Sequence, residues 1–466
     1  MKPHTVVHVV LGLNVGGLER VVVNLVRGFQ GSRFRHVVVC LETGGLFASE
    51  IEQLNVPVHV LHKKHGVDWT AVRQLARLLR QEQAVIVHTH NPAPHFYGVI
   101  AALLAGVPIR IHTKHGRNYP DNSKSVRMTR LLSWFTDVIV PVSDNARDVA
   151  LQVEKVNPKK VQRIWNGVDV ELYKPHETGD YRLETIDRSQ QTSTISLQSS
   201  VFGLQSPAPI IGTVARLSPE KDQQTMLQAF NLVLDQWEQK PAVSDQPTDR
   251  SQPTADHKLE TSDSGLRTQD SGLPNPQPSS LIPQLPPSDL RPLSSESASL
   301  QSQVSSLRSH SSSPLPRLIL VGDGPCMAEL RNEADRLGIA GQVDFLGARS
   351  DIPTQLSTFD IFTLSSTTEG ISMTILEAMA CGLPVVATDV GGNREIVNPP
   401  ECGLIVPPRD PGALAGAYLQ LLRAPSTCAL MGTRARTRII EQFSLQSMAE
   451  DYSRLYKQLL TEKGRG

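Results

Sequence analysis

Short runs of Val, Ile and Leu recur along this chain in a rhythm that suits a layered α/β fold. The first series is Val6 to Leu11, Val37 to Leu41, Val58 to Leu61, Val85 to His88, Ile109 to Thr113 and Val138 to Val142. A second begins at Ile210 to Val214 and continues with Leu318 to Val321, Val343 to Phe345, Ile361 to Leu364 and Val385 to Ala387. Helical stretches separate the runs. Strands that are apolar on both faces and alternate with helices belong in parallel sheets covered on each side. The same architecture is therefore expected twice. A length of 466 residues agrees, because a single core rarely serves more than about 250–300 residues.

Two stretches break the pattern. Between about 177 and 207 the sequence turns to Ser, Gln and Thr, and from 240 to 316 Ser, Pro and Gln dominate without a sustained apolar period. Such a stretch cannot offset the entropy of ordering it. It reads as a disordered insertion at a place where a βαβ unit needs only a short loop. The expected organisation is a first domain over 1–176, a linker over 177–207, and a second domain over 208–443 interrupted at 240–316. A last helix falls within 444–462, with Met448, Tyr452, Leu455, Tyr456 and Leu459 at helical spacing and Ser444 as its cap.

Charge is balanced overall, yet residues 1 to 175 hold 22 Lys and Arg against 13 Asp and Glu. A basic first half suits anionic lipid or phosphate. Nucleic acid is disfavoured, since no reading motif accompanies the surplus. The five cysteines lack Cys-x-x-Cys spacing, so they indicate neither a disulfide framework nor a zinc site and fit a reducing cytoplasm. The start at Met1-Lys2-Pro3 precedes no small-residue cleavage site, and no apolar run approaches the ~18 residues of a membrane span.

Several segments carry groups suited to phosphate and sugar. The first strand runs into Asn14-Val15-Gly16-Gly17-Leu18-Glu19-Arg20, where paired glycines permit close backbone approach and a helix start offers N–H groups to an anion. Neither a Gly-x-Gly-x-x-Gly nor a Gly-x-x-x-x-Gly-Lys-Ser/Thr motif is present, which disfavours NAD and ATP. After strand Ile210 to Val214, a proline turn separates Arg216 from Lys221, two cations suited to a diphosphate. The sharpest segment is Ser365 to Ala380, in which Glu369-Gly370 precedes a helix that carries Glu377. Carboxylates accept hydrogen bonds from vicinal diols, while the helix start faces phosphate. Twelve of the fourteen histidines precede residue 177. His115, followed by Gly116, is read as a sugar or phosphate contact. The others are read mostly as surface or strand-end residues, and without an acidic ligand at suitable spacing they do not indicate a metal site.

Taken together, Gly16-Gly17-Leu18-Glu19-Arg20, Pro141-Val142-Ser143, Asn166-Gly167-Val168-Asp169, Arg216 with Lys221, Gly322-Asp323-Gly324-Pro325 and Glu369-Gly370 through Glu377 resemble family 4 of the retaining glycosyltransferases, in order and spacing. Glu369 through Glu377 and the early Gly-Gly-Leu-Glu further resemble bacterial exopolysaccharide-associated sugar transferases. The resemblance implies the GT-B fold: two Rossmann-like α/β domains facing across a cleft, with the acceptor on the first, the nucleotide-sugar on the second, and the last helix crossing back to the first. It further implies a role for each matching residue. Gly16 and Gly17 would approach the donor phosphate, Arg216 and Lys221 would neutralise the diphosphate, and Glu377 would bind ribose. Gly370, Ile371 and Ser372 would contact the donor, with Glu369 on the transferred sugar and His115 beside it. Where the family usually has Phe-Gly after Glu-Gly, Ile371-Ser372 stand here, which bears on sugar choice. No metal or other cofactor is expected, and the partners are a UDP- or GDP-sugar, a glycan or lipid-linked acceptor, and an anionic membrane surface touched peripherally. The residues also leave open a nucleotide-sugar epimerase or a non-catalytic sugar-nucleotide-binding protein.

Overall fold

A computed structural model of the chain describes residues 3–14, 16–116, 123–175, 208–237 and 314–464. The low-complexity stretches expected over 177–207 and 240–316 lie outside the described residues, apart from 314–316.

Strands β1 (His4–Gly12), β2 (Phe34–Thr43), β3 (Val58–Val60), β4 (Ala84–His90), β5 (Ile109–Lys114) and β6 (Val138–Pro141) form the first sheet, in the order β3-β2-β1-β4-β5-β6. Strands β7 (Ile210–Val214), β8 (Arg317–Val321), β9 (Val343–Gly347), β10 (Ile361–Leu364), β11 (Val385–Thr388) and β12 (Gly403–Val406) form the second, in the order β12-β11-β10-β7-β8-β9. Pairing is parallel throughout the described strands. Both sheets are doubly wound in the same Rossmann-like order. The strand order reverses between β1 and β4 and again between β7 and β10, and such switch points open a crevice beyond the strands' carboxyl ends.

Helices cover both faces, so the strand interiors lose all contact with water: Val6, Val7, Val9, Val10, Val37, Val38 and Val39 are completely buried. β-branched side chains suit this pleated, fully packed setting. Helix boundaries follow local chemistry. Asp68 caps Trp69–Gln81 by accepting from the Thr70 and Ala71 amides, and Gly106, left-handed, ends Pro92–Ala105. Sequence periodicity overlooked β12, whose four residues begin with glycine and offer only Leu404-Ile405-Val406 as a signal.

The histidines require a correction. His8, His36, His88, His90, His95 and His112, read as surface or strand-end residues, are buried, and so is His115. For the inner strands the reason is architectural: a parallel sheet covered on both faces has no wet side, so His8, His36, His88, His90 and His112 go into the core whichever way they point, whereas His59 on the edge strand β3 stays partly exposed.

The last helix, Leu445–Glu462, is capped by Ser444, whose hydroxyl accepts from the Ser447 amide. It packs on the first sheet's side of the molecule against helix Gly17–Gly28. Val168 and Ser444 form a short parallel bridge where the chain returns, with Val168 N donating to Phe443 O at 2.9 Å and Leu445 N to Val168 O at 2.8 Å. From this helix Tyr456 places its hydroxyl 2.7 Å from His88 Nδ1, and Tyr452 places its hydroxyl 2.8 Å from Thr113 Oγ1. Both tyrosines are buried among apolar neighbours.

Tyr456→Phe keeps the packing and strands His88 Nδ1 without a partner. We expect a loss of about 1–3 kcal/mol in urea unfolding with an unchanged slope; a change below about 0.5 kcal/mol, typical of surface sites, would contradict this account.

Candidate functional site at the facing sheet edges

β7 ends at Val214, and the chain turns through Ser218 into the 3-10 turn Pro219–Lys221. β10 ends at Leu364 and runs into hydroxyls that stitch these two exits together. Ser365 Oγ donates to the Lys221 and Asp222 carbonyls at 2.9 Å each, and Thr367 N donates to Glu220 O at 2.9 Å. Lys221 Nζ then lies 2.5 Å from Glu369 Oε1, which also accepts from Ser366 Oγ at 2.6 Å. Arg216 stands exposed on the same edge, its carbonyl held by Gln223 Nε2 at 2.9 Å.

Gly370 is wedged against the other half of the molecule. A Cβ there would run into the His115 carbonyl and come within 2.7 Å of Gly116 O, and Gly116 is itself left-handed at φ 66°. Any side chain at either position would force the two edges apart. On the far side, Gly392 N donates to Gly370 O at 2.7 Å. Between the edges lies a cavity of about 240 Å³ lined by residues that include Lys114, Gly116, Asn145, Thr367, Thr368 and Glu369.

Gly16 precedes helix Gly17–Gly28, and a Cβ on Gly17 would lie 3.6 Å from Met373 Cγ across the divide. The helix start is not bare: the Glu19 carboxylate occupies the space beside Gly16, so an internal anion already sits where a phosphate was expected. Ile371 is buried, and Ser372 caps helix Met373–Ala380 by accepting from the Ile375 amide at 3.4 Å. The departure at Ile371-Ser372 thus supplies the helix with its cap.

Glu377 lies within that helix, fully enclosed, with the Tyr173 hydroxyl donating to its carboxylate and Arg20 nearby. Burial pushes the carboxyl up from 4.5 to about 7; the Arg20 charge and the Tyr173 hydrogen bond oppose this and do not prevail. His115 is also buried, and desolvation lowers it to about 3, so its imidazole is neutral at physiological pH. Its Nε2 lies 3.0 Å from His90 Nδ1.

The sequence-derived residues therefore fall into two groups. Glu369 and Gly116 line the cavity, with Lys221, Gly370 and His115 directly against them, whereas Gly17 lies against Met373, and Glu377 sits in the interior beside Tyr173 and Arg20. Motif reading missed Tyr173 and also Glu395, whose carboxylate accepts from the Asp144 amide at 2.8 and 2.9 Å and the Asn145 amide at 3.2 Å. Glu395 comes from the second half and caps the start of a first-half helix, a long-range role with no local signal. Among the described residues, the group close enough to hold a metal ion is His8, His88 and His90, inside the first sheet.

The raised Glu377 fixes a pH dependence. Below about 4.5 the carboxyl is protonated in both folded and unfolded chains, and its contribution is intact. As pH rises toward about 7 the unfolded carboxyl ionises first, so stability is lost. Relative to Glu377→Gln, the wild type should lose up to about 3 kcal/mol across this window and then level off. Urea midpoints of both proteins from pH 4.5 to 8 test this, and a constant difference would refute it.

The chain's relatives fit this geometry. Residues 15–172 match the Glycosyltransferase Family 4 profile and residues 299–424 that of Glycosyl transferases group 1. The UDP-Gal:alpha-D-GlcNAc-diphosphoundecaprenol alpha-1,3-galactosyltransferase of Escherichia coli is 22% identical over 98% of this chain and 98% of its own length. The putative glycosyltransferase EpsF of Bacillus subtilis is 23% identical, over 82% of this chain and 79% of its own. The crystal structure of Anabaena HepE in complex with UDP superposes with a TM-score of 0.67 at 18% identity, covering 98% of this chain and 100% of that one. The two profiles and the shared GT-B architecture make this chain a glycosyltransferase of the GT-B type, with a family 4 glycosyltransferase domain in its first half.

Proposed function

We propose that this chain is a retaining transferase that moves a sugar from a UDP- or GDP-sugar to a glycan or lipid-linked acceptor, without a metal, in the making of a cell-surface polysaccharide. One observation carries the reading: Glu369, held by Lys221 at 2.5 Å, faces Gly116 across a cavity at the two switch points, with His115 next to Gly116 in the chain. The E. coli relative is named for a UDP-galactose donor and a lipid-diphosphate acceptor, and the Anabaena structure holds UDP, which supports this choice of substrates.

Cleavage of the anomeric bond leaves negative charge on the departing diphosphate and positive character on the sugar. Lys221 and Arg216 offset the first, taking the place a metal ion would fill. Glu369 holds Lys221 in position before the donor arrives and then contacts the transferred sugar. Gly16, Gly17, Gly370, Ile371 and Ser372 bring backbone to the donor, and Glu377 exchanges its Tyr173 contact for ribose hydroxyls. The acceptor oxygen bonds to the anomeric carbon on the face that the diphosphate leaves, and its proton passes to a phosphate oxygen. His115 lies beside the sugar on the acceptor side.

Lys221→Ala should lower transfer about 10²-fold or more, since it removes a charge aimed at the leaving group, whereas a chelator should leave wild-type turnover unchanged. Full activity in Lys221→Ala, or loss of activity on chelation, would count against this mechanism. A screen of UDP- and GDP-sugars by melting temperature identifies the donor through mass action; recovery of an epimer from donor alone would favour the epimerase instead.

Helix Ser123–Trp134 supports a peripheral membrane contact on the cytoplasmic face. Met128, Leu131, Trp134 and Phe135 are exposed beside Lys124 and Arg127, with Trp134 at 71% of its full exposure. No helix among the described residues is long and apolar enough to cross a membrane. Large apolar side chains interleaved with cations suit the interface of an anionic bilayer. Liposomes rich in anionic lipid should float the wild type at low salt but not the Leu131→Ser/Trp134→Ser double variant, with transfer to a soluble acceptor retained. Equal flotation of both proteins would discount this helix.

A further inference from the structure

Of the buried histidines, the transfer chemistry above uses only His115. Three others lead to it in an unbroken line through the first sheet. His36 Nδ1 on β2 lies 2.9 Å from His8 Nε2 on β1, and His8 Nδ1 lies 3.2 Å from His90 Nε2 on β4. His90 Nδ1 in turn lies 3.0 Å from His115 Nε2, just past β5. The two ends, His36 Nε2 and His115 Nδ1, are buried and without hydrogen-bond partners among the described residues.

Elementary bookkeeping restricts the protons. A neutral imidazole has one N–H and one bare nitrogen, and each nitrogen–nitrogen contact needs one of each. Burial holds all four rings well below the ordinary histidine range, so each stays neutral. The contacts must then all point the same way. Either every ring carries its proton on Nδ1 and the chain donates from His36 toward His115, or every ring carries it on Nε2 and the chain runs backwards.

The surroundings of the two ends decide between these. His36 packs against the Phe29 ring, with centroids 4.6 Å apart. A permanent N–H there would be a donor with no acceptor, at the full desolvation cost of that group. With the opposite polarity the apolar end holds only a lone pair, and the free N–H falls on His115, whose neighbours Lys114 and Gly116 line the cavity.

A metal ion is a poorer occupant of this cluster. In the trio close enough to bind one, every ring nitrogen already has a partner: His8 and His90 as above, and His88 through Tyr456 at 2.7 Å and Thr113 at 2.6 Å. The trio contains no carboxylate, and a buried dication without a compensating anion is costly.

We propose that His36, His8 and His90 form a directional chain of neutral imidazoles that fixes His115 in the Nδ1–H tautomer, as a hydrogen-bond donor for the sugar-transfer site. This rests on the transferase reading of the cleft. His36, His8 and His90 are positioning residues; only His115 meets substrate. The architecture explains why the device is built from strands: β2, β1, β4 and β5 are consecutive neighbours in the sheet, so one ring per strand spans it stepwise.

Histidine-selective ¹⁵N labelling of the full chain, read by two-bond ¹H–¹⁵N correlation, tests the polarity directly. All four rings should appear as single Nδ1–H tautomers; an Nε2–H or mixed His115 in the wild type overturns the proposal. His36→Phe removes the first donor. It should mix the His115 tautomers and lower kcat about 10- to 100-fold with the donor KM unchanged, as loss of an orienting partner does elsewhere. His36→Asn, which keeps an N–H near the Nδ1 position, should restore both. If His36→Phe lowers only the melting temperature and moves neither tautomer nor kcat, the chain is structural and the proposal fails. One equivalent of zinc in the purified protein, lost in His8→Asn, overturns it as well. The tautomer readout needs no activity, so a wild type that transfers no sugar would remove the functional reading while this one is still judged on its spectrum.

Discussion

The two halves of the molecule meet backbone to backbone at Gly370, and the site depends on that contact. With no side chain at Gly370 or Gly116, the exit of β10 can lie directly against the exit of β5. Glu369 precedes Gly370, His115 precedes Gly116, and the hydroxyls of Ser365, Ser366 and Thr367 lead into the seam, while Lys221 reaches it from the exit of β7 through its pair with Glu369. Glu395 secures the same seam from another direction by capping the helix that starts at Asp144. The resulting cavity, about 240 Å³, is smaller than the ~300–1,000 Å³ usual for ligand pockets.

Much of this fold could be read from the chain because burial on both faces removes ambiguity. Val6 to Leu11 and Ile210 to Val214 are mostly apolar, broken only by His8 in the first and by Gly212 and Thr213 in the second, and between helical stretches runs of that length suit covered parallel strands. β12 escaped because four residues beginning with glycine fall below what periodicity resolves. The site was legible only where motif and junction coincide: Lys221 and Glu369 were named from separate segments, and they meet at 2.5 Å. Tyr173, Glu395 and the histidine line were invisible because their partners lie far away in sequence. A rule that was available could have found the histidines. Once Val-Ile-Val-His-Thr-His is accepted as a strand of a doubly covered sheet, His88 and His90 cannot be at the surface.

The electrostatic design sets like against unlike at short range and leaves little to long-range field. Lys221 meets Glu369, the Glu19 carboxylate screens the first helix start, and Arg20 is bound to Glu50 at 2.7 Å and stacked 4.2 Å from the Phe47 ring. An arriving diphosphate therefore competes with internal carboxylates rather than falling into an open cationic well. Discrimination between donors is then a difference between two good arrangements, sharper than simple attraction of charge.

The last helix has a consequence for how the protein is made. Tyr452 and Tyr456 complete the polar interior of a sheet whose strands end by residue 141, yet they are separated from it by the whole second half of the chain. At synthesis rates of about 5–20 residues per second, His88 and Thr113 wait roughly 20 to 70 s for their partners. During that interval the first sheet exists with its buried histidines and apolar flank unsealed. Until residues 452 and 456 have been made, this half lacks the hydroxyls that complete its interior, so it is the later of the two to be sealed although its strands are made first.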